Sequence, residues 1–126
     1  MANVPQLSIL VVEDESLLRM VAVDMLEEAG YNVIEAQTGE EGMAVLNSGV
    51  PLAGLFTDVQ MPGTMDGLAL ATISHKMHPD TVILVVSGRT RPTDAELPPG
   101  ARFLGKPYDG RAVLRMLDQM ISSHES

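Results

Sequence analysis

Cysteine and tryptophan are both absent from the 126 residues. Without thiols there can be no disulfide, no cysteine nucleophile and no zinc–thiolate site. Phe and Tyr occur only twice each, so the core must be aliphatic, with the nine methionines filling its gaps. Basic residues are scarce too: eight Lys and Arg face seventeen Asp and Glu, a net charge of -9. That balance argues against a nucleic-acid-binding surface. No apolar run approaches the roughly 18 residues of a membrane span. The opening MANVPQ lacks a signal-peptide pattern, so a cytoplasmic protein with no membrane partner is expected. There is no repeat, low-complexity tract or linker, and the length and 45% hydrophobic content fit one globular domain over residues 1–126.

What is present alternates between strand and helix. Residues 7 to 12 are apolar except for Ser8, the pattern of a central parallel strand covered on both faces. A helix at about 16 to 29 follows, with Leu17, Leu18, Val21 and Met25 at helical spacing and Gly30 as its stop. A short strand covers Asn32 to Ala36. Thr38 and Glu41 form a capping box opening a second helix, which ends near Asn47 to Gly49. Leu52 to Thr57 is the third strand. Asp66 is the N-cap of a third helix. Thr81 to Val86 and Arg102 to Leu104 are the last strands, and Asp109 caps a final helix carrying Val113, Leu114, Leu117, Met120 and Ile121. The break in rhythm is GRTRPTDAELPPG, residues 88 to 100. Pro92 near its start and Pro98-Pro99-Gly100 at its end leave room for one or two turns at most.

Four of the hydrophobic runs end in polar residues: Glu13-Asp14, Asp58, Ser87 and Lys106. If the strands are parallel, all of them emerge at one carboxyl edge, where open α/β sheets place their chemistry. Two like charges at ~4 Å repel by about 4 kcal/mol at the effective dielectric of a protein surface. Three clustered acids are therefore tolerable if they bind a hard divalent cation, and oxygen ligands suit Mg²⁺ or Mn²⁺. Beside such an ion a carboxylate can accept a phosphoryl group. Lys106 would add a point cation, and Ser87 a hydroxyl donor to a phosphoryl oxygen.

VVEDE, TDVQMPGTMDG, VVSG and FLGKPY, in that order and over essentially the whole chain, resemble the receiver domain of two-component response regulators. The resemblance implies an α/β, flavodoxin-like, doubly wound five-stranded parallel sheet of order 2-1-3-4-5. It makes Asp58 the phosphoacceptor. Glu13 and Asp14 become the metal-binding acidic pair, with Asp14 the more direct ligand and Glu13 acting through water. The main-chain carbonyl of Gln60 becomes a third protein ligand, Ser87 the switch hydroxyl, Lys106 the site lysine and Phe103 the switch aromatic. Pro107 suggests a cis Lys-Pro bond. By the same resemblance the partners are a histidine kinase or histidine phosphotransfer protein and a downstream protein whose identity is open. The chain would be a signalling phosphoacceptor rather than an enzyme, at most assisting its own phosphorylation and dephosphorylation.

Two departures stand out. MPGTMDG is one residue longer than the common MPxMDG, so the loop after Asp58 should be reshaped. The interval from Ser87 to Lys106 is short, so the fourth helix should be shortened or irregular and partner recognition cannot simply be carried over. With no effector domain expected after Ser126, output should run through protein–protein contact. A metal-dependent phosphohydrolase with an aspartyl intermediate is the competing enzymatic reading, but there is no DxD acceptor motif. A receiver-like module that binds without switching is the third reading, and a missing site residue would favour it. Among the remaining residues, His75 and His78 could share a metal, His124 falls in a frayed tail, and Arg89 is placed to reach either a phosphoryl group or a surface partner.

Overall fold

The computed structural model describes residues 7–89 and 91–125; Thr90, inside the irregular stretch, lies outside them. The elements run β1 (Ser8–Val12), α1 (Ser16–Glu28), β2 (Asn32–Ala36), α2 (Gly39–Asn47), β3 (Gly54–Asp58), α3 (Gly67–Met77), β4 (Val82–Ser87), β5 (Arg102–Gly105) and α4 (Gly110–Glu125). All strand pairs are parallel, in the order β2-β1-β3-β4-β5. This is the expected doubly wound sheet.

Strand alternation builds two cores from one run of sequence. Ile9 and Val11 point to one face and pack with Leu26 of α1 and Val113 and Leu117 of α4. Leu10 and Val12 point to the other and pack with Leu46 of α2 and Leu70 of α3. An apolar residue at every position is what a strand covered on both sides requires. Thr38 Oγ1 accepts from the Glu41 amide at 3.1 Å, as the capping box predicts. The Glu41 carboxylate returns to the amide of Gln37 at 3.0 Å, one residue further back than the usual reciprocal bond. Asp66 accepts from the Ala69 amide at 2.9 Å, and Asp109 from that of Arg111 at 3.0 Å.

Between β4 and β5 the described residues contain no helix, only turns at residues 94–96 and 99–100. The first is closed by the Glu96 amide donating to the Thr93 carbonyl at 3.0 Å, and the Glu96 carboxylate accepts in return from the Thr93 amide at 2.9 Å and its hydroxyl at 3.1 Å. Pro92 and Pro98 are buried, and Leu97 and Ala101 pack against the core containing Ile83 and Val85. Prolines and two aliphatic side chains cover the sheet where a full helix would otherwise lie. His124 is not frayed: it lies in α4, and its Nε2 is 3.0 Å from Asp80 Oδ1. His78 ends α3 with its ring nitrogen 3.0 Å from the Leu46 carbonyl oxygen, which ties α3 to α2. Among the described residues, no helix is long and apolar enough to cross a membrane.

One core residue is poorly matched. The Ser74 side chain is wholly buried in α3 and its hydroxyl has no hydrogen-bond partner. A buried unsatisfied hydroxyl costs on the order of 1–3 kcal/mol. Ser74→Ala should therefore raise the melting temperature, by about 3–5 °C for a gain near 1 kcal/mol. Thermal unfolding followed by circular dichroism checks this; an unchanged or lower value would mean that the hydroxyl is satisfied in solution.

Candidate phosphoacceptor and metal site

The parallel register brings the polar strand ends together. Asp58 closes the central strand β3 and is paired with Val86 of β4; Glu13 and Asp14 follow β1, and Lys106 follows β5. The Lys106 Nζ lies 2.9 Å from Glu13 Oε1 and 3.1 Å from Asp58 Oδ2, so one ammonium bridges acids that lie 45 residues apart. The second Glu13 oxygen accepts from the Glu15 amide at 3.1 Å. Arg19 donates to the Glu13 main-chain carbonyl at 2.8 Å and pairs with Glu35 at 3.2 Å, which fixes the turn after β1. Both Glu13 oxygens are thus engaged, and Asp14 stands exposed at the mouth.

Burial raises the carboxyls of Glu13 and Asp58 above their ordinary values, against the opposing pull of Lys106. Burial alone would lower Lys106, but its hydrogen bonds to the two acids outweigh that and hold it above the usual lysine range. One oxygen from each of Glu13, Asp14 and Asp58 can gather within 4.8 Å of the others. Three carboxylates and one ammonium leave a net charge of -2, which a divalent ion would neutralise. The all-oxygen donor set fits a hard cation. Asp14, Asp58, Gln60, Arg89 and Lys106 line the same crevice, which measures about 420 Å³. His75 and His78 lie at the far end of α3 and take no part in it.

The longer loop after Asp58 has its own internal supports. Gly63 adopts φ 99°, open to glycine and strained for other residues. Glu40 at the start of α2 clasps the added length, accepting from the Thr64 amide at 3.2 Å and its hydroxyl at 3.1 Å. The Lys106–Pro107 bond is cis. Ser87 is buried at the end of β4 and donates to Gln60 Oε1 at 2.7 Å. Phe103 is half-buried beside Val85, with the Arg91 guanidinium 5.5 Å from its ring centre. Sequence reasoning missed three of these contacts: Gln60–Ser87, Glu40–Thr64 and Arg91–Phe103.

An acidic cluster at the carboxyl edge of a 2-1-3-4-5 sheet is the arrangement of a receiver, and the chain belongs to that family. The model of the response regulator receiver domain matches residues 9–118. The chain is 32% identical over 116 residues to the response regulator receiver protein CpdR of Brucella abortus, covering 90% of this chain and 95% of that one. It is 34% identical over 122 residues to the sensor kinase CckA of Brucella abortus, covering 94% of this chain but 13% of that protein. Among solved structures, a receiver protein from Sinorhizobium medicae superposes with a TM-score of 0.90 at 24% identity, over 94% of this chain and 97% of that one. A CheY-like receiver domain from Methanospirillum hungatei gives 0.85 at 25% identity, over 96% and 98%.

Proposed function

We propose that this domain accepts a phosphoryl group on Asp58 from a phosphohistidine of a histidine kinase or phosphotransfer protein, in a Mg²⁺-dependent reaction. The phosphorylated domain then signals by changing its protein contacts. The observation that carries this reading is the placement of Asp58 at the end of β3, open to the crevice and bonded to Lys106, with Glu13 and Asp14 alongside. Relatives named as a sensor kinase and as a response regulator receiver protein support a histidine donor. Such donors are charged from ATP, which puts the reaction in the cytoplasm.

In the step itself an Asp58 oxygen attacks phosphorus, the P–N bond to imidazole breaks, and the imidazole leaves with the electron pair and takes up a proton. Asp14, Asp58 and the Gln60 carbonyl would hold Mg²⁺ directly and Glu13 through water; the ion would offset charge on the transferred oxygens. Lys106 holds the Asp58 carboxylate in place before transfer and faces the phosphoryl oxygens after it. Ser87 offers its hydroxyl to one of those oxygens, and Phe103 responds to the movement of Ser87. Treatment with acetyl phosphate and Mg²⁺ should add the mass of one phosphoryl group to the intact chain and none to Asp58→Asn. Equal labelling of that variant would overturn the assignment.

The donor needs a docking surface next to the crevice, and α1 offers one. Leu17, Met20 and Val21 are 65%, 53% and 55% exposed, and Leu18 lines the crevice itself. Val21→Glu should leave labelling by acetyl phosphate unchanged and cut transfer from a phosphohistidine protein more than about tenfold, since a charge in a packed apolar contact costs more than about 1.4 kcal/mol. Equal loss with both donors would point to damage to the site instead.

A further inference from the structure

We infer that the side chain of Gln60 is a latch that holds the switch hydroxyl away from the phosphoryl position, so that Gln60 sets the threshold of the switch. The inference rests on the proposed phosphorylation of Asp58. A serine hydroxyl has one proton to donate. In this structure Ser87, itself buried, gives it to the half-buried Gln60 Oε1 at 2.7 Å, across 27 residues of sequence. The Ser87 hydroxyl oxygen in turn accepts from the Arg89 amide at 3.3 Å. A phosphoryl oxygen on Asp58 needs that proton too, and the hydroxyl cannot serve both acceptors. Charge-assisted hydrogen bonds are roughly twice as strong as neutral ones, so an anionic phosphoryl oxygen outcompetes the Gln60 amide. The unphosphorylated domain meanwhile stays in its inactive arrangement. The latch also joins the loop after β3 to the end of β4.

Gln60→Met tests the latch, because it keeps the length of the side chain and replaces the amide by a weak acceptor. Gln60→Leu serves as a second variant if methionine packs poorly. In the unphosphorylated wild type, NMR couplings should report a single Ser87 rotamer. In the Gln60 variants the rotamer should average. After acetyl phosphate and Mg²⁺, the switch equilibrium, read from the amide shifts of Gly88 and Phe103 at equal phosphorylation by intact mass, should favour the activated form about three- to tenfold more than in wild type, the range of one neutral hydrogen bond. In a Ser87→Ala background Gln60→Met should have no such effect, since the cycle isolates their coupling. A single Ser87 rotamer in both Gln60 variants, or an equal effect of Gln60→Met with and without Ser87, overturns the latch. The rotamer measurement needs no phosphoryl group, so a chain that never labels at Asp58 would refute the proposed function while the latch is still judged on its own.

Discussion

Asp14→Ala is expected to weaken Mg²⁺ binding more than tenfold and to raise the melting temperature of the metal-free protein. Both effects come from the same charge. A carboxylate about 4 Å from a doubly charged ion contributes on the order of several kcal/mol at the dielectric of a protein surface, before the cost of stripping water is subtracted. Each tenfold in affinity is about 1.4 kcal/mol. Asp14 is the exposed acid, while both Glu13 oxygens are engaged by Lys106 and the Glu15 amide, so the remaining acids cannot replace it. Without metal the sign reverses. Burial raises Asp58, and the charge of Asp14 adds to the rise; Glu13 is raised chiefly by burial, with Asp58 adding to it. An acid raised on folding binds its proton more tightly in the native state. Its stabilising contribution is full below the unfolded carboxylate range and is lost as the pH climbs through the raised folded values. Metal-free wild type should therefore lose stability from about pH 4 upward, and Asp14→Ala should lose less. Saturating Mg²⁺ should reverse the order of the two proteins, since a ligand at about 100 times its dissociation constant adds about 2.7 kcal/mol. Titration calorimetry and thermal scans with and without Mg²⁺ decide it; unchanged Mg²⁺ affinity would show that the three acids do not form one site.

Much of this site was legible in the sequence because parallel strands convert sequence position into spatial position. Once LSILVV, LAGLFT and VILVV are recognised as strands, Glu13, Asp58 and Ser87 must emerge at one edge, whatever the loops between them do. The missing helix was legible for a similar local reason: three prolines within residues 92 to 99 cannot be accommodated in a helix interior. Contacts between distant side chains were not legible. Glu40 and Thr64 are 24 residues apart, and nothing in GEEG marks one glutamate as the clasp on the loop after Asp58. Gln60 was noticed for its main-chain carbonyl, while its side chain turned out to engage Ser87. Arg91 over Phe103 depends on how the segment without a helix folds back, and periodicity has nothing to report there. His124 looked like a tail residue because chain ends usually fray, but Asp80 holds it. Side-chain anchors also bear on how firmly residues 93 to 97 are held. The helix is absent, yet Pro92, Leu97 and Pro98 are buried or half-buried, and amide exchange there measures how firmly they hold.

Gly67→Ala should lower the melting temperature by about 10 °C, far more than a methyl group does at an ordinary surface position. A Cβ at this position would lie 1.8 Å from the carbonyl oxygen of Asp58, 2.7 Å from its carbonyl carbon and 3.0 Å from the Cα of Val59. All three are backbone atoms, so no side chain can turn aside to make room. The start of α3 is drawn onto the end of β3, with the Gly67 amide donating to the Val59 carbonyl at 2.9 Å. Adding the methyl must separate the helix from the strand, lose that bond and disturb the packing of Leu70 and Ala71 behind it. Overpacking a core costs typically about 1–3 kcal/mol, and a fixed backbone puts this site at the top of that range. At about 3–5 °C per kcal/mol for a domain of this size the shift is about 10 °C. The strand end that moves carries Asp58, so labelling by acetyl phosphate should fall as well. Gly105→Ala is the control: nothing lies within 4 Å of a Cβ there, and β5 should accept the methyl with little change. Thermal unfolding of the two variants side by side decides the matter. Similar melting temperatures would mean that α3 can shift away from Asp58 at little cost, and that the acceptor is held by β3 and Lys106 alone.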